Sequence, residues 1–392
     1  MRRATSAVAA SVVVFATSPV GAAPCIAFGC VSSGSSASNS PSLFLQSLGY
    51  ISQQVSQVSA TGIQQQIWSI EDRSQGKAVT ASRPMGFAEE DSTGDPVIDS
   101  AFPALGYNGD PRDPKSPLAV KAPAAQPSEV SYSAWVQGFV DYENRTGAFD
   151  GIDIGRNTLI GGGIAAADVT IQHLASASDA LVFGLLTGDL TATIRNADGS
   201  TALVHGPSAG VYSAYVNGSF SMDGTFKTDF FALTETDLGV VTPLGLNNYV
   251  TTGNVNYKVD VGTWWFQPTA GVTYTRTAWN GESIADGFSD GTDVRVQGGT
   301  RFGSGFDWSG VHFDHSLTVL AYDDVMISGG TLAVATGVPM APTDEGKIFG
   351  QVIGKLEAQL TRNWSVNVEG EFRGSTDVYG VAGRIGATYT FN

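Results

Sequence analysis

Tyr379-Gly380-Val381-Ala382-Gly383-Arg384-Ile385-Gly386-Ala387-Thr388-Tyr389-Thr390-Phe391, with only Asn392 after it, is the stretch that decides the fold. A strand sends successive side chains to opposite faces. Tyr379, Val381, Gly383, Ile385, Ala387, Tyr389 and Phe391 therefore share one face, apolar and aromatic at both ends, while Gly380, Ala382, Arg384, Gly386, Thr388 and Thr390 make a small, polar one. The segment before it repeats the pattern, with Trp364, Val366, Val368 and Phe372 opposed to Ser365, Asn367, Glu369, Glu371 and Arg373. So does the next, where Val352, Leu356 and Leu360 oppose Gln351, Lys355, Glu357 and Gln359. Further back, Trp264, Phe266, Ala270, Val272 and Tyr274 oppose Gln267, Thr269, Thr273 and Thr275, and Val294, Val296 and Phe302 oppose Arg295, Gln297 and Arg301. One such strand also fits a half-buried sheet, but about twelve occur in residues 131–392. Dividing 262 residues by twelve leaves roughly 22 per strand and connection, where a membrane strand needs about 9–11.

A sandwich would turn the apolar faces inward against each other, whereas a membrane barrel turns them to lipid and the polar faces to its lumen. Aromatics at both ends of the apolar stripes, as with Trp364 and Phe372 or Trp264 and Tyr274, match the two interfacial girdles of a barrel. The fold expected is an all-β membrane protein, a closed antiparallel transmembrane β-barrel of about twelve strands. Composition agrees: charged residues are only 15% of the chain, and Gly is 48 of 392. A content of 42% hydrophobic residues, with 20 Phe, 12 Tyr and 7 Trp, excludes wholesale disorder. The net charge, 21 − 37 = −16, excludes a nucleic-acid binder, which needs a basic face.

The N-terminus reads as an export signal over residues 1–22: Arg2 and Arg3, an apolar run from Ala7 to Ala16, then small residues before a cut after Ala22. Residues 23–41 are a flexible Ser/Gly-rich segment carrying Cys25 and Cys30, the two cysteines of the chain and a candidate disulfide in an oxidising compartment. Over 42–75 the apolar positions Phe44, Leu48, Ile51, Val55 and Val58 step by 4, 3, 4 and 3 and resume at Ile63, Ile67 and Ile70. That spacing predicts an amphipathic helix with a Gln/Ser-rich opposite face, a candidate plug for the lumen. Residues 76–130 hold 8 of the 16 prolines and read as a linker to the barrel of 131–392.

The opening strand Ala134–Tyr142, the run Trp264-Trp265-Phe266-Gln267-Pro268 with Val272-Thr273-Tyr274, and the Gly383–Phe391 ending resemble the C-terminal translocator barrel of type V autotransporters. The resemblance covers residues 131–392. It implies a barrel whose lumen holds a helix leading back to an exported passenger, insertion through the barrel assembly machinery with periplasmic chaperones, and a terminal aromatic motif, here Tyr389 and Phe391, as the assembly signal. Three features depart from the family. The segment 24–130 is short and lacks a β-helical repeat; Asn392 follows the final aromatic; and the paired asparagines that self-cleaving members cut in the lumenal helix occur here only as Asn247-Asn248, in an expected barrel connection.

No enzyme chemistry is expected. Gly206-Pro207-Ser208-Ala209-Gly210 spells a nucleophile elbow, but a strand rather than a helix follows, so a turn at a strand start is the reading. Asp286, Asp290 and Asp293 read as a solvated acidic loop, and no metal or other cofactor is expected. The functional signal is the set of charges that alternation sends inward: Arg295, Arg301, Asp314, Lys355, Glu357, Glu369, Glu371, Arg373 and Arg384. At membrane depth such residues must face water, a plug or one another. The function expected is an outer-membrane translocator of a Gram-negative bacterium, a lipid-embedded monomer with a short or vestigial passenger; a porin or a surface adhesin is the alternative.

Overall fold

The computed structural model describes residues 43–82, 129–149, 152–176, 178–237, 239–285, 287–332 and 343–391. The export signal, the Ser/Gly-rich segment with Cys25 and Cys30, and residues 83–128 of the linker lie outside them. The chain opens with a helix, α1 (Leu43–Ser82), which continues past the predicted amphipathic stretch. Twelve long strands follow: β1 (Glu129–Arg145), β2 (Arg156–Gln172), β3 (Asp179–Asn196), β4 (Thr201–Asn217), β5 (Phe220–Asp237), β6 (Val240–Tyr257), β7 (Trp264–Trp279), β8 (Gly291–Trp308), β9 (Val311–Gly329), β10 (Ile348–Gln359), β11 (Trp364–Gly374) and β12 (Val378–Phe391). Each pairs antiparallel with its neighbours in sequence, and β12 pairs with β1, so the sheet closes into a twelve-stranded barrel. The closing seam runs from Tyr132 opposite Phe391 to Arg145 opposite Val378. Closure leaves no sheet edge, the condition for a sheet to span lipid.

The outer face is apolar. Val136, Val140, Phe226, Phe302, Leu317, Val368, Phe372 and Ile385 are all exposed, on strands right round the barrel. Aromatics collect at the mouth where β1 begins and β12 ends: Trp364 lies 4.9 Å from Tyr389, and Tyr389 4.7 Å from Phe391, ring centre to ring centre. This outer surface fits membrane lipid. The same mouth carries the short β4–β5 and β8–β9 turns, and the opposite one carries the longest connections, between β7 and β8 and between β9 and β10. Among the described residues no helix is long and apolar enough to cross a membrane.

Two motifs sit differently from expectation. Gly206–Gly210 is not a turn; it lies in the middle of β4, where Pro207 has no N–H to give, and the β4–β5 pairing skips from His205–Ala232 to Ser208–Asp229. Asn247-Asn248 lies within β6 rather than in a connection.

Candidate functional site

The barrel is filled by α1. From Gln46 to Gln75 every side chain is buried or half-buried, polar and apolar alike, because wall surrounds the helix on all sides. Leu48, Ile51, Val55, Val58, Ile63, Ile67 and Ile70 form one cluster with inward residues of β2 to β6, among them Ile160, Ile164, Leu186, Leu190, Ile194, Val204, Phe231 and Leu246. This corrects the expectation of a uniformly polar lumen. A helix with an apolar stripe needs an apolar wall opposite it, and each Leu, Ile or Val fully withdrawn from water is worth roughly 1.5–3 kcal/mol. In β3 the pattern even inverts: past Leu185 the outward residues are Thr187, Asp189, Thr191 and Thr193, and the inward ones Leu190, Ala192 and Ile194.

The Gln/Ser face of α1 meets the other half of the wall. Gln53 Nε2 donates to Thr277 (2.9 Å), Gln57 Nε2 to Asp293 (2.9 Å) and Gln66 Nε2 to Thr388 (2.9 Å). Asn248 Nδ2 donates to Ser52 and Ser56 at 3.2 and 2.9 Å. Asp293 is thus a buried wall residue rather than part of a solvated loop: β8 begins at Gly291, and its alternation turns Asp293 inward. Gly49 lets the helix come this close, since a Cβ there would lie 2.2 Å from the backbone carbonyl oxygen of Gly330; at Gly62 a Cβ would lie 2.6 Å from Gln137 Oε1, the movable end of a side chain.

The structure places most of the sequence-predicted charges in one network on this half. Lys355 lies 3.3 Å from Glu369, Arg384 reaches Glu371 at 2.6 Å and Glu369 at 3.8 Å, and Arg373 reaches Glu371 at 3.3 Å. Arg295 grips Asp324 with Nε at 2.6 Å and a terminal nitrogen at 3.0 Å. Asp314 stands apart, at the mouth, mostly exposed and 3.3 Å from His312. The alternation argument missed Asp141 and Glu143, which complete the network by binding Arg373 at 2.5 and 3.1 Å. The signal was present in β1, where Asp141, Glu143 and Arg145 recur every second residue. It also missed Lys227 and Asp229, a fully buried pair on β5 at 2.5 Å.

At the long-loop mouth the first turns of α1 are clasped. Asp344, from the β9–β10 connection, accepts from Tyr50 Oη at 2.7 Å and from both terminal nitrogens of Arg145. Gln54 joins in, donating to Tyr50 Oη (2.9 Å) and accepting from Arg156 (2.6 Å). Burial alone would raise the Asp344 carboxyl, but the Arg145 hydrogen bonds and charge, with the Tyr50 hydroxyl, outweigh it and hold the group well below the usual carboxylate range. Burial likewise pushes the Asp377 carboxyl beside the clasp upward, but Lys347 at 2.8 Å more than offsets this and lowers it.

At the other mouth α1 meets its first charges. Glu71 accepts from Ser221 (2.8 Å) and Asn256 (3.3 Å), Asp72 pairs with Arg301 (2.8 Å) and Lys258 (3.4 Å), and Arg73 pairs with Glu357 (3.1 Å). The Arg301 guanidinium lies over the rings of Trp68 (4.7 Å) and Trp265 (5.2 Å), and Lys355 donates to Ser69 and to the Gln65 carbonyl. Beside this collar a cavity of about 410 Å³ remains, bounded by Asp72, Arg73, Lys258, Arg301 and Glu357.

A closed twelve-stranded antiparallel barrel is a fold this chain shares with autotransporter β-domains. Among solved structures the chain is similar to the β-domain of the Bordetella autotransporter BrkA, at 14% identity and a TM-score of 0.52, over 66% of this chain and 98% of that one. Matches also include the translocator domain of NalP from Neisseria meningitidis, at 13% identity and TM-score 0.47 over 75% and 94% of the two chains. The transport unit of AIDA-I from Escherichia coli matches at 14% and 0.47 over 75% and 97%. No family profile and no curated protein sequence matches the chain.

Proposed function

We propose that the protein is an autotransporter-type translocator of a Gram-negative outer membrane, exported on a cleaved signal peptide and carrying a short N-terminal segment toward the cell surface. The observation that carries this reading is the direction of α1. Its N-terminal turns lie at the long-loop mouth and its C-terminal turns at the mouth where β1 begins. Outer-membrane barrels keep short turns in the periplasm and long loops outside, so a chain lying this way leads its N-terminus outward. Protease treatment of intact cells bearing an N-terminal tag tests the reading. Loss of the tag supports it, and a tag protected until the cells are broken refutes it.

Insertion then falls to the barrel assembly machinery and periplasmic chaperones, with Tyr389 and Phe391 as the assembly signal. Their place on the closing seam supports that role, since Tyr389 pairs with Ala134 and Phe391 with Tyr132. Cys25 and Cys30 would close a small disulfide in the exported segment. The expected inward charges other than Asp314, namely Arg295, Arg301, Lys355, Glu357, Glu369, Glu371, Arg373 and Arg384, act in this reading as the polar lining against which the helix is seated. A porin is less well supported, because the lumen is occupied by a helix along its length.

A further inference from the structure

We infer that Glu71-Asp72-Arg73 and the wall groups that grip them form an electrostatic stop, which fixes how far the N-terminal part of the chain is drawn through the lumen; this rests on the translocator reading above. From Gln46 to Ile70 the helix carries no charged residue. Then three charges arrive together, and each finds partners on a different arc of the wall: Ser221 and Asn256 of β5 and β6 for Glu71, Lys258 after β6 and Arg301 of β8 for Asp72, Glu357 of β10 for Arg73. Arg301 is 2% exposed and also lies over Trp68 of the helix, so the collar grips the chain on two sides.

The apolar stripe marks this register only in part. From Phe44 to Val58 its 4, 3, 4, 3 spacing repeats every seven residues, so an outward shift of two turns, about 10 Å, brings Val55 and Val58 to the places of Leu48 and Ile51. Beyond Val58 the repeat breaks: the shift would bring Gly62, Gln65 and Ser74 to the places of Val55, Val58 and Ile67, and the stripe there resists it alongside the charges. The Gln/Ser face is more forgiving near its start, where Gln53 and Ser59 would follow into the places of Gln46 and Ser52. The charged triplet is different. Moved outward by two turns, Asp72 and Arg73 would leave their partners for a waist where Lys355, Glu369, Arg384, Glu371 and Arg373 are already ion-paired with one another. Charges without partners are costly there, and the existing pairs would have to break to receive them. Gly49 and Gly62 also fit the observed register, but a small residue only permits an approach; it exerts no pull on a chain still moving.

The test uses the full chain with Cys25→Ser and Cys30→Ser and reads register by disulfide crosslinking in the assembled barrel. Gln53→Cys with Thr277→Cys reports the observed register, since those side chains touch at 2.9 Å. Ala60→Cys with Thr277→Cys reports a chain drawn seven residues further out. With the collar intact only the first pair should crosslink. With Asp72→Asn and Arg73→Gln the second product should rise about tenfold relative to the first, the scale expected for losing partly buried ion pairs. The swap Asp72→Arg with Arg301→Asp should restore the single product. Lys258→Gln with Glu357→Gln weakens the collar from the wall side and should act like the helix variant, which covers the case in which altering α1 prevents folding. A single crosslink at Gln53 in both the helix and the wall variants overturns the stop and gives the register to the apolar stripe and the glycine contacts. The tag assay on intact cells is independent: a protected N-terminus defeats the translocator reading, while the crosslinks still decide whether the collar sets the register.

Discussion

Truncating Ile63 and Ile67 together to alanine should unseat the helix without opening the wall. Both are 0% exposed and pack in the cluster shared with β2 to β6. Each Ile→Ala change in a packed core costs about 2–5 kcal/mol. The two positions are one turn apart and share neighbours, so their effects do not simply add; a joint cost of about 4 kcal/mol takes the low end of each. The ladder bonds that close the barrel are untouched, so the loss falls on the seated state of α1 and raises the population of unseated barrels about a thousandfold. Two assays read this. Planar-bilayer recordings should show frequent large openings where the unaltered protein stays nearly closed, and a thiol at Gln57→Cys, in the Cys25→Ser, Cys30→Ser background, should become labelled far faster. Phe302→Ala, a lipid-facing change 44% exposed in the unaltered protein, should alter neither. Unchanged conductance and labelling in a properly folded double variant would refute the apolar half-wall as the seat of the helix.

The purified protein in detergent should migrate anomalously on gels until boiled and show β circular dichroism with a minor helical part, and residues 131–392 alone should show the same gel shift and β signal without the α1 contribution; a detergent-independent soluble monomer would contradict the fold. Phe391→Ala should slow insertion and leave chains to periplasmic proteases while Phe302→Ala inserts normally and deletion of Asn392 is neutral or helpful; pulse-chase assembly assays compare them, and equal rates for the two Phe variants would reduce Phe391 to wall packing. The clasp at Asp344 should be insensitive to pH across the neutral and mildly acidic range. Its carboxyl is held below the ordinary value of about 3.9, so its contribution is complete above that value and is lost only as pH falls further, through the depressed one. Limited proteolysis near Gly346 should therefore begin only in strong acid, whereas Asp344→Asn should be cut at neutral pH.

Much of the barrel is legible because period-two alternation is a direct consequence of strand geometry, and β11 and β12, with most of β10, show it. The helix was legible for the same kind of reason. What escaped was the inner face of β2 to β6. An apolar residue facing lipid and one facing a lumenal helix are chemically alike, so Phe183 and Leu186 carry no mark of which side each takes. Asp344 had no periodic signal at all, since it lies in a connection, and only tertiary placement brings it to Tyr50 and Arg145. The glycines before Asp293, Gly287 and Gly291, make it read as loop, yet the alternation of Val294 and Val296 against Arg295 and Gln297, carried back one residue, puts Asp293 on the inward face.

The covalent link between α1 and the wall has a mechanical consequence. Ser82 and Glu129 are joined by residues 83–128, 46 residues whose contour length at about 3.3 Å each is roughly 150 Å. An 18-residue strand such as β3 rises only about 60 Å. The leash is therefore more than twice as long as the tube is tall, and a load pulling the N-terminus outward would drag α1 clear of the lumen before the leash came taut. Until then a pull on the N-terminus is borne by side-chain contacts inside the tube and by nothing covalent.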